Sequence, residues 1–373
     1  MFENFQIPAE LIPSDPRFGV GPSLIPVDHL KNLVATGTSL LGTSHRKPAV
    51  RNLVKELQDG LRSYFRLPDG YEIVLGNGGA TLLWDMIGLG LVEKSSLHFV
   101  TGEFSEKWYK SHAQIPWLKA REIKVEPGHG INPKDEPGYD FFCSTLNETS
   151  TGVMSTVLPE LQDPHALMAL DATSGAGQIK VDWKRVDVYY FAPQKVFASD
   201  GGLYIAILSP KAVERALRLQ QDKSRYIPEY MKWSHAIENS RMNQTYNTPA
   251  ITTIFLMNEQ VKLMNKLGED KVIAEAKRKA DMMYGWAESK SYLNPFVREK
   301  NMRSQAVVTI DVDDRYKMDD LAAVLRARNV AYDIEAYRKL NRNQLRIALF
   351  HNVSYEDLVK LTKIISLAIE STP

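Results

Sequence analysis

The alternation of apolar and polar positions divides this chain into two regimes. From about residue 70, short apolar runs alternate with segments of helical period. Residues 71–75 predict a strand, and residues 81–92 a helix with Leu82, Met86 and Leu89 on one face. Further short apolar runs stand at 97–100, 141–144, 167–170, 188–191 and 203–208. Runs without polar alternation suit strands covered on both faces, which predicts an α/β unit with a mostly parallel sheet. Polar and Gly-rich residues follow many of these runs, at the sheet edge where such folds bind ligands.

The last hundred residues follow a different pattern. Residues 271–290 and 318–328 read as helices on either side of a β-branched strand at 305–312. Strands at 330–334 and 344–350 then precede a closing helix at 355–369. This predicts a second, smaller α+β unit, with the boundary within or after a helical stretch at 249–267.

Composition narrows the function classes. The 373 residues carry 46 basic and 45 acidic side chains, a net charge of +1. That balance lacks the basic excess of a nucleic-acid binder. One cysteine, Cys143, rules out an intrachain disulfide and fits a reducing compartment. The N-terminal residues lack the basic and apolar regions of a signal peptide, and no apolar stretch approaches a membrane span, so the expected location is the cytoplasm.

Candidate chemistry gathers at the ends of the predicted strands. Lys195, a few residues past the strand at 188–191, is ordinarily read as a solvated loop lysine. Held near an aldehyde and deprotonated, it would instead form an imine with pyridoxal 5′-phosphate. Asp171 ends the run at 167–170 and opens Asp171-Ala172-Thr173-Ser174-Gly175-Ala176-Gly177. It reads equally as a turn aspartate or as the partner of a pyridine nitrogen. Gly76-Asn77-Gly78-Gly79-Ala80-Thr81, between a strand and a helix, suits phosphate binding. The same loop resembles a dinucleotide fingerprint, with Thr81 at the third glycine and Glu103 as the ribose acid.

Other motifs have less specific readings. Asn147-Glu148-Thr149 matches a glycosylation sequon, set aside without a secretion signal, and Thr149 could donate to a cofactor phenolate. Asn247-Thr248-Pro249 predicts a helix start, with Thr248 as cap and Pro249 at the first position. His45 and Arg46 lie in a short basic loop where Arg46 could bind an anion in bidentate fashion. Arg346, inside an apolar strand, needs a partner, and a substrate carboxylate is a natural one.

Taken in order along nearly the whole chain, these motifs resemble the phosphoserine aminotransferases, specifically the actinobacterial branch. The likeness includes Arg17-Phe18-Gly19-Val20-Gly21-Pro22-Ser23, Gly42 to Arg46, Gly76 to Thr81, Asn147 to Gly152 and Asp171 to Gly177. It continues through Phe191 to Gly202, Asn243 to Pro249 and Tyr337 to Arg346. The resemblance implies a fold-type I transferase that binds pyridoxal 5′-phosphate, with no metal, as a homodimer with shared sites. Its large domain, at 17–265, would carry a mostly parallel seven-stranded sheet, and its small α+β domain would comprise 1–16 and 266–373.

The resemblance also implies roles for individual residues. Lys195 is the Schiff-base lysine and Asp171 the partner of the pyridine nitrogen, while Gln194 and Thr149 contact the cofactor. Ala80 and Thr81 bind its phosphate from one subunit, and Asn247 and Thr248 reach it from the other. His45 and Arg46 match the substrate loop, and Arg346 the arginine for the substrate α-carboxylate. Phe104 takes the place of a ring-stacking tryptophan. A His-Arg pair for the substrate phosphate is replaced by Tyr337-Arg338-Lys339-Leu340-Asn341-Arg342, leaving Arg338, Lys339 and Arg342 as candidates. The implied reaction exchanges L-glutamate and 3-phosphohydroxypyruvate for 2-oxoglutarate and O-phosphoserine in serine biosynthesis. Use of a pyridoxine-pathway analogue stays open. Competing readings are a related aminotransferase or desulfurase, a nicotinamide-dependent dehydrogenase, and a non-catalytic regulator.

Overall fold

A computed structural model describes residue 2 and residues 5–372. Met1, Glu3, Asn4 and Pro373, at the extremes of the expected small domain, lie outside the described residues. The chain forms strands β1 (Glu72–Gly78), β2 (Ser95–Val100), β3 (Lys119–Lys124), β4 (Phe141–Thr145), β5 (Asn147–Glu148) and β6 (Val153–Met154). β7 (Leu167–Asp171), β8 (Val188–Phe191), β9 (Gly202–Leu208), β10 (Leu293–Pro295), β11 (Val307–Val312) and β12 (Gln344–Ala348) follow.

Seven strands make one sheet in the order β1-β9-β8-β7-β4-β2-β3. Only β9 runs against its neighbours, so the sheet is mostly parallel, as the apolar runs predict. Alternate residues of the central strands enter two different cores. Phe142, Met168, Leu170, Tyr189 and Phe191 pack on one face, with Leu57, Leu61, Met257 and Val261 from the helices Pro48–Tyr64 and Ile251–Leu267. Phe141, Cys143, Leu167, Ala169 and Tyr190 pack on the other, with Leu83, Trp84, Trp108 and Trp233. Cys143 is buried there with a thiol pKa pushed up by burial, which removes the reactive cysteine a desulfurase needs.

Sequence periodicity misses some elements. β3 is a polar edge strand whose positions alternate between exposed and half-buried, so no apolar run marks it. The helix Ala80–Gly90 buries Leu83, Trp84, Met86 and Ile87, while Leu82 and Leu89 are only half-buried. β10 is too short to register as a period. The expected strand at 330–334 is replaced by single bridges, because Asp333 takes a φ of 58° that no ladder accommodates. The helix expected to begin at Thr248-Pro249 begins at Ile251 without a side-chain cap. Asn77 prevents the earlier start: its side chain donates to the Thr248 carbonyl at 2.6 Å and accepts from the Ala250 N–H at 3.0 Å.

Antiparallel β10-β11-β12 form the second sheet, packed with the helices Glu269–Glu288, Met318–Ala327 and Tyr355–Glu370. The N-terminal segment joins this unit through Ser14, which donates to both carboxylate oxygens of Asp357 at 2.8 and 2.6 Å. Among the described residues, no helix is long and apolar enough to cross a membrane.

Candidate active site

The C-terminal ends of β1, β4, β7 and β8 and the start of β9 open onto one cavity of about 400 Å³. Gly78–Thr81, Thr145, Asn147, Thr149, Asp171, Thr173, Gln194, Lys195 and Phe104 line it, with Gly21, Pro22 and Trp84. The parallel strands deliver these residues to the same edge because their directions agree.

Lys195 is 8% exposed and donates to the Val20 carbonyl at 2.5 Å. Burial, assisted by the nearby charge of Arg346, lowers its pKa to about 7, so a large share of the amine is neutral at neutral pH. Gly21 permits this approach. A Cβ there would stand 2.4 Å from Lys195 Nζ, and its φ of 139° disfavours any side chain.

Asp171 lies at the end of β7 with no ion-pair partner among the described residues. Burial raises its carboxyl pKa, and donors partly offset this. Thr173 donates to Oδ1 from its N–H at 2.9 Å and its hydroxyl at 2.6 Å, and Trp84 Nε1 approaches Oδ2 at 3.4 Å. A cationic N–H in the cavity would complete the balance. Across the cavity, Thr149 and Asn147 both donate to Ser174 Oγ, at 2.8 and 2.7 Å. Asn147 Oδ1 and Gln194 Oε1 are buried without partners. The helix Ala80–Gly90 begins at the cavity, and its first N–H groups have no intrahelical acceptor.

Arg346, on β12, donates to the Thr149 carbonyl at 3.3 Å and leaves its Nε buried and unpaired. Burial lowers its pKa to about 10, and Tyr337 lies 5.3 Å from its guanidinium. Tyr337 in turn stands 6.0 Å from the Phe104 ring, and Lys339 pairs with Glu103 beside it. The segment 337–339 therefore runs past the cavity wall. Arg342 is committed elsewhere, in a two-point ion pair with Asp311 at 2.9 and 2.6 Å. Arg338 is exposed and has no polar partner among the described residues.

Arg338, Arg342 and Arg346 stand outside the cavity lining, and so do four further expected residues: His45, Arg46, Asn247 and Thr248. These four gather instead on one surface, where Thr248 Oγ1 lies 3.3 Å from His45 Nδ1 and Arg46 reaches Gln244 Oε1 at 2.5 Å. Trp84, Thr173, Gly21 and Glu148 carry parts of the site that motif reading did not assign. Gly21 and Thr173 lie inside recognised runs, but their contacts with Lys195 and Asp171 are tertiary.

A glycine-rich strand-to-helix turn, a buried lysine and a strand-end aspartate thus meet at one edge of this sheet. The class-V aminotransferase family model matches residues 131–334, and the chain belongs to that family. Within it, the chain is a member of the phosphoserine aminotransferase group. It is 47% identical to phosphoserine aminotransferase of a Nocardioides species, covering 99% of this chain and all of that one. The corresponding enzyme of Corynebacterium glutamicum is 44% identical, over 98% and 97% of the two chains. The crystal structure of a phosphoserine aminotransferase from Cytophaga hutchinsonii superposes with a TM-score of 0.87 at 26% identity, over 96% and 99% of the chains. An alanine–glyoxylate aminotransferase from Nostoc reaches a TM-score of 0.78 at 18% identity over 99% and 97%, so the fold alone does not select the substrate.

Proposed function

We propose that the chain binds pyridoxal 5′-phosphate in this cavity and exchanges L-glutamate and 3-phosphohydroxypyruvate for 2-oxoglutarate and O-phosphoserine. The observation that carries the reading is a buried Lys195, its pKa lowered to about 7, lining the same cavity as a buried Asp171 that forms no ion pair among the described residues. The residues fit the cofactor. Ala80 and Thr81 would offer helix N–H groups to its phosphate, Asp171 would pair with its pyridine nitrogen, and Gln194 and Thr149 would supply polar contacts. Phe104 provides the stacking ring. When bound, the cofactor supplies an electron sink for the substrate Cα.

The chain's own groups supply the rest. Lys195 Nζ, as the neutral amine, would take the proton from the substrate Cα and deliver it to the cofactor's C4′ carbon. Cofactor attachment by the apoprotein is accordingly expected to accelerate as pH rises from about 6 to about 8 and then level off. Because Arg346 disfavours the protonated amine, Arg346→Ala should move that profile to higher pH. A profile centred near that of a free lysine would contradict the assignment. Arg346, with its unpaired Nε, is the group for the α-carboxylate.

The division of labour follows the two sheets: 17–265 holds the cofactor, and 1–16 with 266–373 forms the substrate-side unit. His45, Arg46, Asn247 and Thr248 share a surface with the exposed Leu41, Met242 and Tyr246, a combination suited to a second copy whose cavity they complete. Arg338 is the group for the substrate phosphate, since Arg342 is held by Asp311 and Lys339 by Glu103.

The test is the half-reaction with O-phosphoserine against serine, followed as the shift of the cofactor's visible band. Arg338→Ala should raise the phosphoserine concentration needed by roughly ten- to a hundredfold and leave serine unaffected. Arg342→Ala should leave both almost unchanged. Equal responses to serine and phosphoserine in the native protein would refute the substrate reading.

A further inference from the structure

Glu148 is a buried acidic side chain that the chemistry above leaves unused. It is 0% exposed and forms no ion pair among the described residues. Burying a carboxylate is costly unless hydrogen bonds compensate. Here the donors come from the start of the helix Glu103–Ala113, which carries Phe104. The Phe104 N–H donates to Oε1 at 3.2 Å, and the Ser105 N–H and hydroxyl donate to Oε2 at 3.0 and 2.9 Å. Ser150 adds its N–H at 3.3 Å and its hydroxyl at 2.7 Å to Oε1. The same Ser150 hydroxyl accepts the Glu103 N–H at 3.0 Å.

The first three N–H groups of this helix thus end on Glu148 and Ser150, and a carboxylate at a helix N-terminus is favoured by the dipole. Gly102 makes the approach possible, since a Cβ there would lie 2.6 Å from Glu148 Cγ and 2.5 Å from Ser150 Oγ. Side chains alternate along an extended segment, so Glu148 points away from its neighbours Asn147 and Thr149. Those two line the cavity, and both are tied to Ser174. One short segment therefore holds Thr149 on one wall and the backbone of Phe104 on another.

We propose that Glu148 is a positioning residue that fixes the Phe104 ring relative to Thr149, so that the two walls of the cofactor slot keep one spacing. This rests on the pyridoxal reading of the cavity. A purely structural cap would lower stability without acting through Phe104, whereas a positioning residue must act through it.

A double-mutant cycle on pyridoxal 5′-phosphate binding separates the two, with the dissociation constant and the visible circular dichroism of the bound cofactor as readouts. Glu148→Gln should weaken binding by about tenfold and alter the dichroism. In a Phe104→Leu background it should add less than about twofold. Additive effects, or a lower melting temperature with binding and dichroism unchanged, would overturn the proposal. Ser105→Ala removes one donor to the carboxylate and should show the same non-additivity, which keeps the test decisive where Glu148→Gln fails to fold. A native protein that binds no pyridoxal 5′-phosphate would refute the pyridoxal reading itself, and this inference with it.

Discussion

Replacing Lys195 with alanine is expected to slow the O-phosphoserine half-reaction by at least about three orders of magnitude. The substitution removes the amine that attaches the cofactor and the base that moves the Cα proton. Neither can be supplied from solvent, because the group sits almost fully buried behind Gly21 and the Val20 carbonyl. The fold should survive. The Lys195 side chain makes one hydrogen bond among the described residues, and burying its amine already opposes folding of the charged form, in line with its pKa lowered to about 7. Single-turnover rates measured beside a thermal melt check both parts. A variant within about tenfold of the native rate would mean that another group performs the proton transfer.

Asp171→Asn is expected to cost a factor of about 10² to 10³ in the same half-reaction while leaving the cofactor bound. The carboxylate lines the cavity at the end of β7, and its burial makes it costly to ionise without a positive partner. A protonated pyridine nitrogen satisfies that need, and the pairing keeps the ring able to withdraw electrons. Asparagine keeps the shape but loses the charge, and its amide would set N–H groups against the Thr173 donors. Absorbance spectra of the bound cofactor, recorded beside the single-turnover rate, separate lost binding from lost chemistry. An unchanged rate would remove Asp171 from the reaction.

Much of this architecture was legible in the chain because the central strands are buried on both faces. Phe141–Thr145, Leu167–Asp171 and Val188–Phe191 are continuous apolar runs feeding two cores, so their residues carry a signal without alternation. β3 lies at the sheet edge and needs no apolar run, and its polar residues concealed it. Asn247-Thr248-Pro249 has the residues of a helix start, yet Asn77 from β1 claims the backbone there first. Site residues at strand ends were readable for a related reason: the sheet direction brings Asp171, Lys195 and the Gly78–Thr81 loop together wherever the intervening chain runs. Glu148 and Trp84 were not readable. Their importance lies in whom they touch, a helix start 43 to 44 positions away and a carboxylate 87 positions away.

The substrate side shows the same division. Three basic residues at 338, 339 and 342 are equivalent in sequence, and only their partners distinguish them. Asp311 occupies Arg342, Glu103 occupies Lys339, and Arg338 is left to meet a ligand.

The central claim is that Lys195 holds the cofactor, and chemical trapping tests it most directly. The protein loaded with pyridoxal 5′-phosphate is reduced with borohydride, digested, and its peptides are weighed by mass spectrometry. One reduced adduct is expected, on the peptide containing Lys195, and it should be absent from Lys195→Ala. An adduct on a different lysine, or one that persists in that variant, would contradict the account.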